Sequence, residues 1–202
     1  MPSVYQLKSR FQDLLRPLVA RLATAGVTAN QVTVAAMLLS LLAGIALFQY
    51  PQSPWPLLLL PVALLARMAL NAIDGMLARE HGMTSQLGAV LNELGDVVSD
   101  TVIYLPLALL PAFDARAIVL VVVLAIIGEM TGVLSQALGA SRRYDGPMGK
   151  SDRALLFGAL ALLIGLGVPG GLWLDVVLWL AVAASLLTIV NRVRAGLAEQ
   201  AR

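Results

Sequence analysis

Long apolar runs separated by short polar segments make up most of this chain. Six of them, 31–49, 56–80, 85–111, 114–140, 152–168 and 172–191, come near or exceed the roughly 20 residues that an α-helix needs to cross the hydrocarbon core. The segments between them carry turn chemistry: Tyr50-Pro51-Gln52-Ser53-Pro54, Leu110-Pro111 and Val168-Pro169-Gly170-Gly171. Proline ends a helix because it lacks the N–H that the ladder needs and clashes with the preceding turn. Ahead of the first run, Val4, Leu7, Phe11, Leu14, Leu15, Leu18 and Leu22 recur at helical spacing with charges between them. This pattern predicts an amphipathic helix over 2–22 lying on the membrane surface, with Pro17 as the place for a kink. The segment lacks the short apolar stretch and small-residue cleavage site of a secretory signal. The expected architecture is all-α: one integral membrane domain over 1–202, with six transmembrane helices preceded by an interfacial N-terminal helix.

Composition agrees with this reading. Hydrophobic residues make up 59% of the chain, charged residues 13%, and mean hydropathy is +0.84, beyond the range of a soluble domain. With no cysteine and one histidine, His81, disulfides, thiolate metal sites and a histidine cage are excluded. The net charge of +2 sits in short segments between apolar runs, which argues against a nucleic-acid face. Lys8, Arg10, Arg16 and Arg21 precede the first run, and Arg79 follows the second. Arg142, Arg143, Lys150 and Arg153 lie between the fourth and fifth, and Arg192, Arg194 and Arg202 follow or end the sixth. The opposite loops offer Arg116 alone. Positive loops stay cytoplasmic, so both termini and the acidic cluster described below are expected on the cytoplasmic side, at the inner or plasma membrane if the protein is bacterial. Tyr50, Trp55, Phe113 and Trp173 fit an aromatic belt at the far interface.

Acidic residues beside hydrocarbon are costly, so a cluster of them points to function. At about 100° per residue, Arg67, Asn71, Asp74 and Ala78 share one face of the second run, bordered by Gly75 and Arg79, while Asn92, Glu93, Asp96 and Asp100 fall in one arc of the third. A turn through His81 and Gly82 lets the two faces meet, so that oxygen ligands converge on a hard cation, Mg²⁺ or Mn²⁺. Such a site suits phosphoryl-group transfer. Gly75 and Gly88, lacking Cβ, would let a nucleotide or helix approach the backbone, and Arg79 would pair with a phosphate oxygen. Plain polar contacts between helices, such as Arg67 with Asp74, are the structural alternative. The basic segment from Arg142 to Arg153, with Arg142, Arg143, Lys150 and Arg153, is a candidate site for an acceptor or its phosphate, and positive-inside anchoring is the other reading. It is not a Walker loop, because Tyr144 stands where the first glycine belongs. Glu129 lies well inside the fourth run beside Gly128 and Gly132, suited to close packing or to lining a pocket.

Asn71-x-x-Asp74-Gly75-x-x-Ala78-Arg79, then eight residues, then Gly88, Asn92 and Asp96 at four-residue spacing resembles the pattern DxxDGxxAR…GxxxDxxxD of the CDP-alcohol phosphotransferase (CDP-alcohol phosphatidyltransferase) family. Asparagine stands at the first and third aspartate positions. The segment Gly26-Val27-Thr28-Ala29-Asn30-Gln31-Val32-Thr33 also resembles the family's entry into its first span, with Ala29 in place of proline. The resemblance implies a phosphatidyltransferase of phospholipid biosynthesis. It would move the phosphoryl-linked lipid of a CDP-alcohol, most often CDP-diacylglycerol, to an acceptor hydroxyl and release CMP. It further implies that positions Asn71, Asp74, Asn92 and Asp96 surround two divalent metals, Mg²⁺ or Mn²⁺, of which the second should suffer most from the two asparagines, and that Gly75, Ala78, Arg79 and Gly88 contact the nucleotide, to which Asn30 and Thr33 are added as candidates. Asp96 would be the general base, and the protein a homodimer among membrane lipids. Because the two asparagines are neutral, Glu93 and Asp100 are candidate substitutes for the missing carboxylates. A relative that binds nucleotide lipid or a membrane partner without turnover, and an ion or proton carrier, are the competing functions.

Overall fold

The computed structural model describes residues 4–200. Positions 2 and 3 of the expected interfacial helix, and the side chains of Val4, Leu7, Lys8 and Arg10, lie outside the described residues. Within them are seven α-helices: α1 (Val4–Thr24), α2 (Ala29–Gln49), α3 (Trp55–Glu80), α4 (Gln86–Tyr104), α5 (Ala115–Ala137), α6 (Lys150–Gly165) and α7 (Leu172–Gln200). Four of these, α2, α3, α5 and α7, are long and apolar enough to cross a bilayer. The expected six spans reduce to four on that measure. The 19 residues of α4 include Glu93, Asp96 and Asp100, while α6 has only 16 residues and opens on Lys150, Asp152 and Arg153.

Local chemistry sets the boundaries. Gly26 turns the chain at φ 78°, and Thr28 begins α2 with a reciprocal cap: its hydroxyl accepts from the Gln31 N–H at 3.3 Å, and its own N–H donates to Gln31 Oε1 at 2.9 Å. Ser85 caps α4 by accepting from the Gly88 N–H at 2.9 Å, and Asp114 caps α5 by accepting from the Arg116 N–H at 2.9 Å. The third run does not continue as α-helix to 111. It tightens after Tyr104 into a 3-10 segment, Leu105–Leu109, because Pro106 cannot donate to the ladder. The fourth run ends at Ala137 rather than 140, with Gly139 at φ 96°. The sixth continues past 191 to Gln200, where Ala, Leu, Glu and Arg are good helix formers.

α2 packs between α3 and α4, α5 lies along α7, α6 lies on α3, and α1 docks on α3. At Gly44 the α2 backbone meets α4 so closely that a Cβ would stand 2.0 Å from the Val102 carbonyl oxygen, a crossing only glycine permits. The larger apolar core gathers Leu47, Leu60, Leu64, Ile103, Tyr104, Leu107, Ile118, Phe157, Leu174 and Leu178, with the Tyr104 and Phe157 rings stacked at 4.6 Å. A smaller one joins Val19 of α1 to Ala29, Val32, Ile73, Met76 and Leu77. A neighbouring stripe of α1, Phe11, Leu14 and Leu18, stays exposed, Leu14 to 76%. Phe113, expected in the aromatic belt, is 6% exposed and belongs to the larger core, whereas Tyr50, Trp55 and Trp173 are exposed. Burial is the better outcome for a side chain with no polar tip to keep wet.

Candidate active site

On α3, Arg67, Asn71 and Asp74 succeed Leu57, Leu60 and Leu64, so one helix carries both the apolar core and the polar site. Asp74 is buried and accepts from the Thr33 hydroxyl of α2 at 2.9 Å. Around it opens a cleft of about 690 Å³, including its mouth, whose lining includes Asn30, Thr33, Asp74, Gly75, Ala78, Arg79, Gly88 and Asn92. Every residue expected to meet the nucleotide therefore faces this one cleft. Met83, Thr84 and Ser85 of the α3–α4 turn line it as well; they lay between the motif's two halves, where spacing alone gives no role. Gly88 leaves the cleft its width, since a Cβ there would come 2.7 Å from Asn30 Oδ1.

Asn92 also borders a second recess of about 920 Å³, formed with Glu93, Asp96, Glu129, Arg142, Tyr144, Lys150, Asp152 and Arg192. Asp96 sits in its wall with both oxygens engaged. Oδ1 accepts from Asn71 Nδ2 at 3.2 Å and from Arg67 Nη2 at 3.4 Å, and Oδ2 accepts from the Lys150 ammonium. Of the four basic residues expected at an acceptor site, Arg142 and Lys150 line this recess. Arg143 does not: it donates to both oxygens of Asp145, at 2.8 and 3.0 Å, and to Glu199 at 2.7 Å. Arg153 is buried instead in an ion-paired cluster beneath it.

That cluster holds three carboxylates among four arginines. Asp100, 5% exposed, accepts from Arg67 Nη1 at 2.5 Å and from Arg153 Nε at 2.8 Å. Glu129 accepts from Arg142 at 2.9 Å and Arg153 at 3.2 Å and lies 3.4 Å from Arg192 Nη1. Glu93 takes both Nε and Nη2 of Arg142, at 2.9 and 2.8 Å. Glu93 and Asp100, the candidate substitutes for missing ligands, thus face arginines. Removing water from so many charges is costly unless they are paired and hydrogen-bonded; every charged group here has an ionic partner, and Arg67 Nε is left as a buried N–H with no acceptor. Arg67 pairs with Asp100 and Asp96 rather than with Asp74. Arg192, 2% exposed, also donates to the Gly128 carbonyl oxygen at 2.6 Å. Its signal in the sequence is the polar stripe Ser185, Thr188, Arg192 at three- and four-residue spacing on an otherwise apolar helix.

The loop over the recess is held from both sides. The Met148 N–H donates to Thr188 Oγ1 at 3.0 Å, and Arg153 Nη1 donates to the Met148 carbonyl oxygen at 2.9 Å. The hydrogen bonds from Arg143 hold the Asp145 carboxyl below its usual range. Arg142 is held protonated by Glu93 and Glu129, which outweigh the opposing effect of its burial.

For a divalent cation the donors at hand are the carboxylates Asp74 and Asp96 and the amides Asn71 and Asn92. Among the described residues, no three Asp, Glu, His or Cys side chains come together as a metal site. The set suits one hard, oxygen-seeking ion and falls short of the charge two would require.

The fold and its adjoining recesses define a class, a helical membrane protein with a polar site set among apolar helices. The chain belongs to the CDP-alcohol phosphatidyltransferase family, whose model matches residues 26–190. The inner membrane protein YnbA of Escherichia coli K12 is 45% identical over 195 residues, 96% of each chain, and the present chain is likewise an integral membrane protein. The phosphatidylinositol phosphate synthase of Mycolicibacterium smegmatis is 27% identical over 96% of this chain and 89% of its own. Among solved structures, Mycobacterium tuberculosis phosphatidylinositol phosphate synthase (PgsA1) with CDP-DAG bound superposes with a TM-score of 0.75 at 24% identity, covering 89% of this chain and 92% of that one. The same protein in complex with manganese and citrate also gives 0.75 at 24% identity, over 89% and 87%. This likeness shows a shared fold.

Proposed function

We propose that this protein transfers the phosphatidyl group of CDP-diacylglycerol to the hydroxyl of an acceptor alcohol and releases CMP, as a step of phospholipid synthesis. The observation that carries the reading is the gathering of Asp74, Gly75, Ala78, Arg79 and Gly88 around one cleft that meets, at Asn92, the recess walled by Asp96. The cytidine diphosphate portion binds in the first cleft, where Arg79 pairs with a phosphate and Gly75 and Gly88 admit the nucleotide to the backbone. The acceptor enters the second. The acceptor oxygen forms a bond to the lipid-bearing phosphorus, the bond from that phosphorus to the CMP oxygen breaks, and the hydroxyl proton passes to the Asp96 carboxylate. Bound Mg²⁺ or Mn²⁺, held by Asp74 and Asp96 with Asn71 and Asn92, would neutralise phosphate oxygens. Arg67 and Asn71 hold Asp96 facing the recess.

The second recess has acids Glu93, Asp96, Glu129 and Asp152 beside bases Arg142, Lys150 and Arg192. It offers no surplus of positive charge, so an uncharged or zwitterionic hydroxyl compound suits it better than the anionic acceptor suggested by the loop's basic density. We read α4 and α6 as spans five and six beside α2, α3, α5 and α7, with both termini cytoplasmic and α1 at the interface. The homodimer remains what the family resemblance implies.

The test is CMP formation by purified protein given CDP-diacylglycerol, Mg²⁺ or Mn²⁺ and a panel of charged and uncharged alcohols. Metal-dependent CMP release that one alcohol stimulates, and that Asp96→Asn reduces by at least about 100-fold, supports the transfer. CDP-diacylglycerol binding with no CMP from any alcohol overturns it in favour of a binding protein.

A further inference from the structure

We infer that Lys150 is a built-in cation of this site, its ammonium standing beside Asp96 in place of part of the positive charge that a second divalent ion would bring, so that the site holds one divalent ion. The inference rests on the reading of the cleft as a CDP-alcohol site and deepens it.

Three observations lead to it. First, Asn71 and Asn92 remove two negative charges relative to a site with aspartate at all four motif positions. The remaining pair, Asp74 and Asp96, matches the charge of one divalent ion. Second, Asp96 already accepts from three donors, Lys150 on one oxygen and Asn71 and Arg67 on the other, which leaves it room for one ion and not for a bridge between two. The Asn71 contact, 3.2 Å from Nδ2 to Oδ1, needs a donor, which an amide supplies and an ionised aspartate does not. A carboxylate at that position would set two like charges side by side and would need a cation between them. Asparagine at 71 and lysine at 150 are therefore consistent with each other. Third, Lys150 is not a loose surface arm. It is the first residue of α6, preceded by Gly149, whose N–H donates to Asp152 Oδ2 at 2.9 Å, and by Met148, anchored to both α6 and α7. Its backbone is fixed on the side of the recess that Asp96 faces. Lys150 acts through Asp96 and is a positioning residue in this role.

The experiment counts Mn²⁺ bound to the full-length protein in nanodiscs of uncharged lipid, from the loss of the free-ion electron paramagnetic resonance signal. One ion per chain is expected for the wild type, and none for Asp74→Asn. The triple variant Asn71→Asp/Asn92→Asp/Lys150→Gln is expected to bind two, with dipolar broadening from the neighbouring spin. Two ions or none on the wild type overturns the inference, as does a single ion on the folded triple variant. Should that variant not fold, Lys150→Gln alone serves: removal of the ammonium is expected to tighten Mn²⁺ binding about tenfold, and unchanged or weaker binding overturns the inference. The count does not depend on turnover. One ion without CMP formation would defeat the transfer reading and leave this inference standing, while two ions with CMP formation would do the reverse.

Discussion

At the scale of single residues, charge pairing decides which positions tolerate change. Asp100 is enclosed with two arginines as its partners, so Asp100→Asn leaves Arg67 and Arg153 buried beside a neutral amide. Breaking one member of such a pair is expected to cost about 3–5 kcal/mol, read as a lower thermal midpoint in detergent. An unshifted midpoint would show the cluster to be hydrated. The residues legible in the sequence were those whose neighbours lie three or four positions away on the same helix, such as Asp74 with Asn71 and Ala78, or Asn92 with Asp96. The partners of Glu129 were not legible. Arg142, Arg153 and Arg192 come from the loop, α6 and α7, and no local periodicity connects them. For the same reason Glu93 and Asp100 could be placed on the right face of α4 without any indication that arginines occupy it.

Among the elements, the segment between α5 and α6 is one whose order depends on acid. Its clamp is the fork of Arg143 on Asp145, and that carboxyl titrates below its ordinary range because of those hydrogen bonds. A depressed pKa means the contribution is complete above the unfolded carboxylate value and is lost as pH falls through the folded one. Amide exchange over 138–149, corrected for intrinsic rates, should therefore hold steady from pH 7 to 5 and rise only below about pH 4. A rise already between pH 7 and 5 would rule the clamp out. The ends of the helices were well marked where capping chemistry acts, at Thr28, Ser85 and Asp114. They were misjudged where an apolar run continued past a change of helix type, as at Pro106. Hydropathy records the solvent preference of a stretch and is blind to which hydrogen-bond ladder its backbone adopts.

For the molecule as a whole, the fold class follows from apolar length, but the number of crossings does not. α4 and α6 carry charges of the site: the three carboxylates of α4 take it out of the range of an apolar span, while α6, with 16 residues, is too short to count as one. The absence of cysteine makes the proposed topology directly measurable. With a membrane-impermeant maleimide on intact cells, Ser53→Cys and Gly170→Cys are expected to label, and Ala198→Cys only after permeabilisation. Label on Ala198→Cys in intact cells would reverse the orientation.

The cluster uniting Arg67 of α3, Asp100 of α4 and Arg153 of α6 has a consequence for how the protein enters its membrane. A lone aspartate, lysine or arginine near the middle of an inserting helix costs about 2.5–3.5 kcal/mol. On the six-span reading, Arg67 well inside α3 and Asp100 well inside α4 are costly in lipid until they meet, and Arg153, in the first turn of α6, completes the pairing of Asp100. Biogenesis then has to hold α3 and α4 within reach of each other until α6 is made, and a helix left without its counter-charges is a substrate for extraction and proteolysis. Substitutions in this cluster will accordingly reduce how much protein a cell accumulates as well as how fast each molecule turns over.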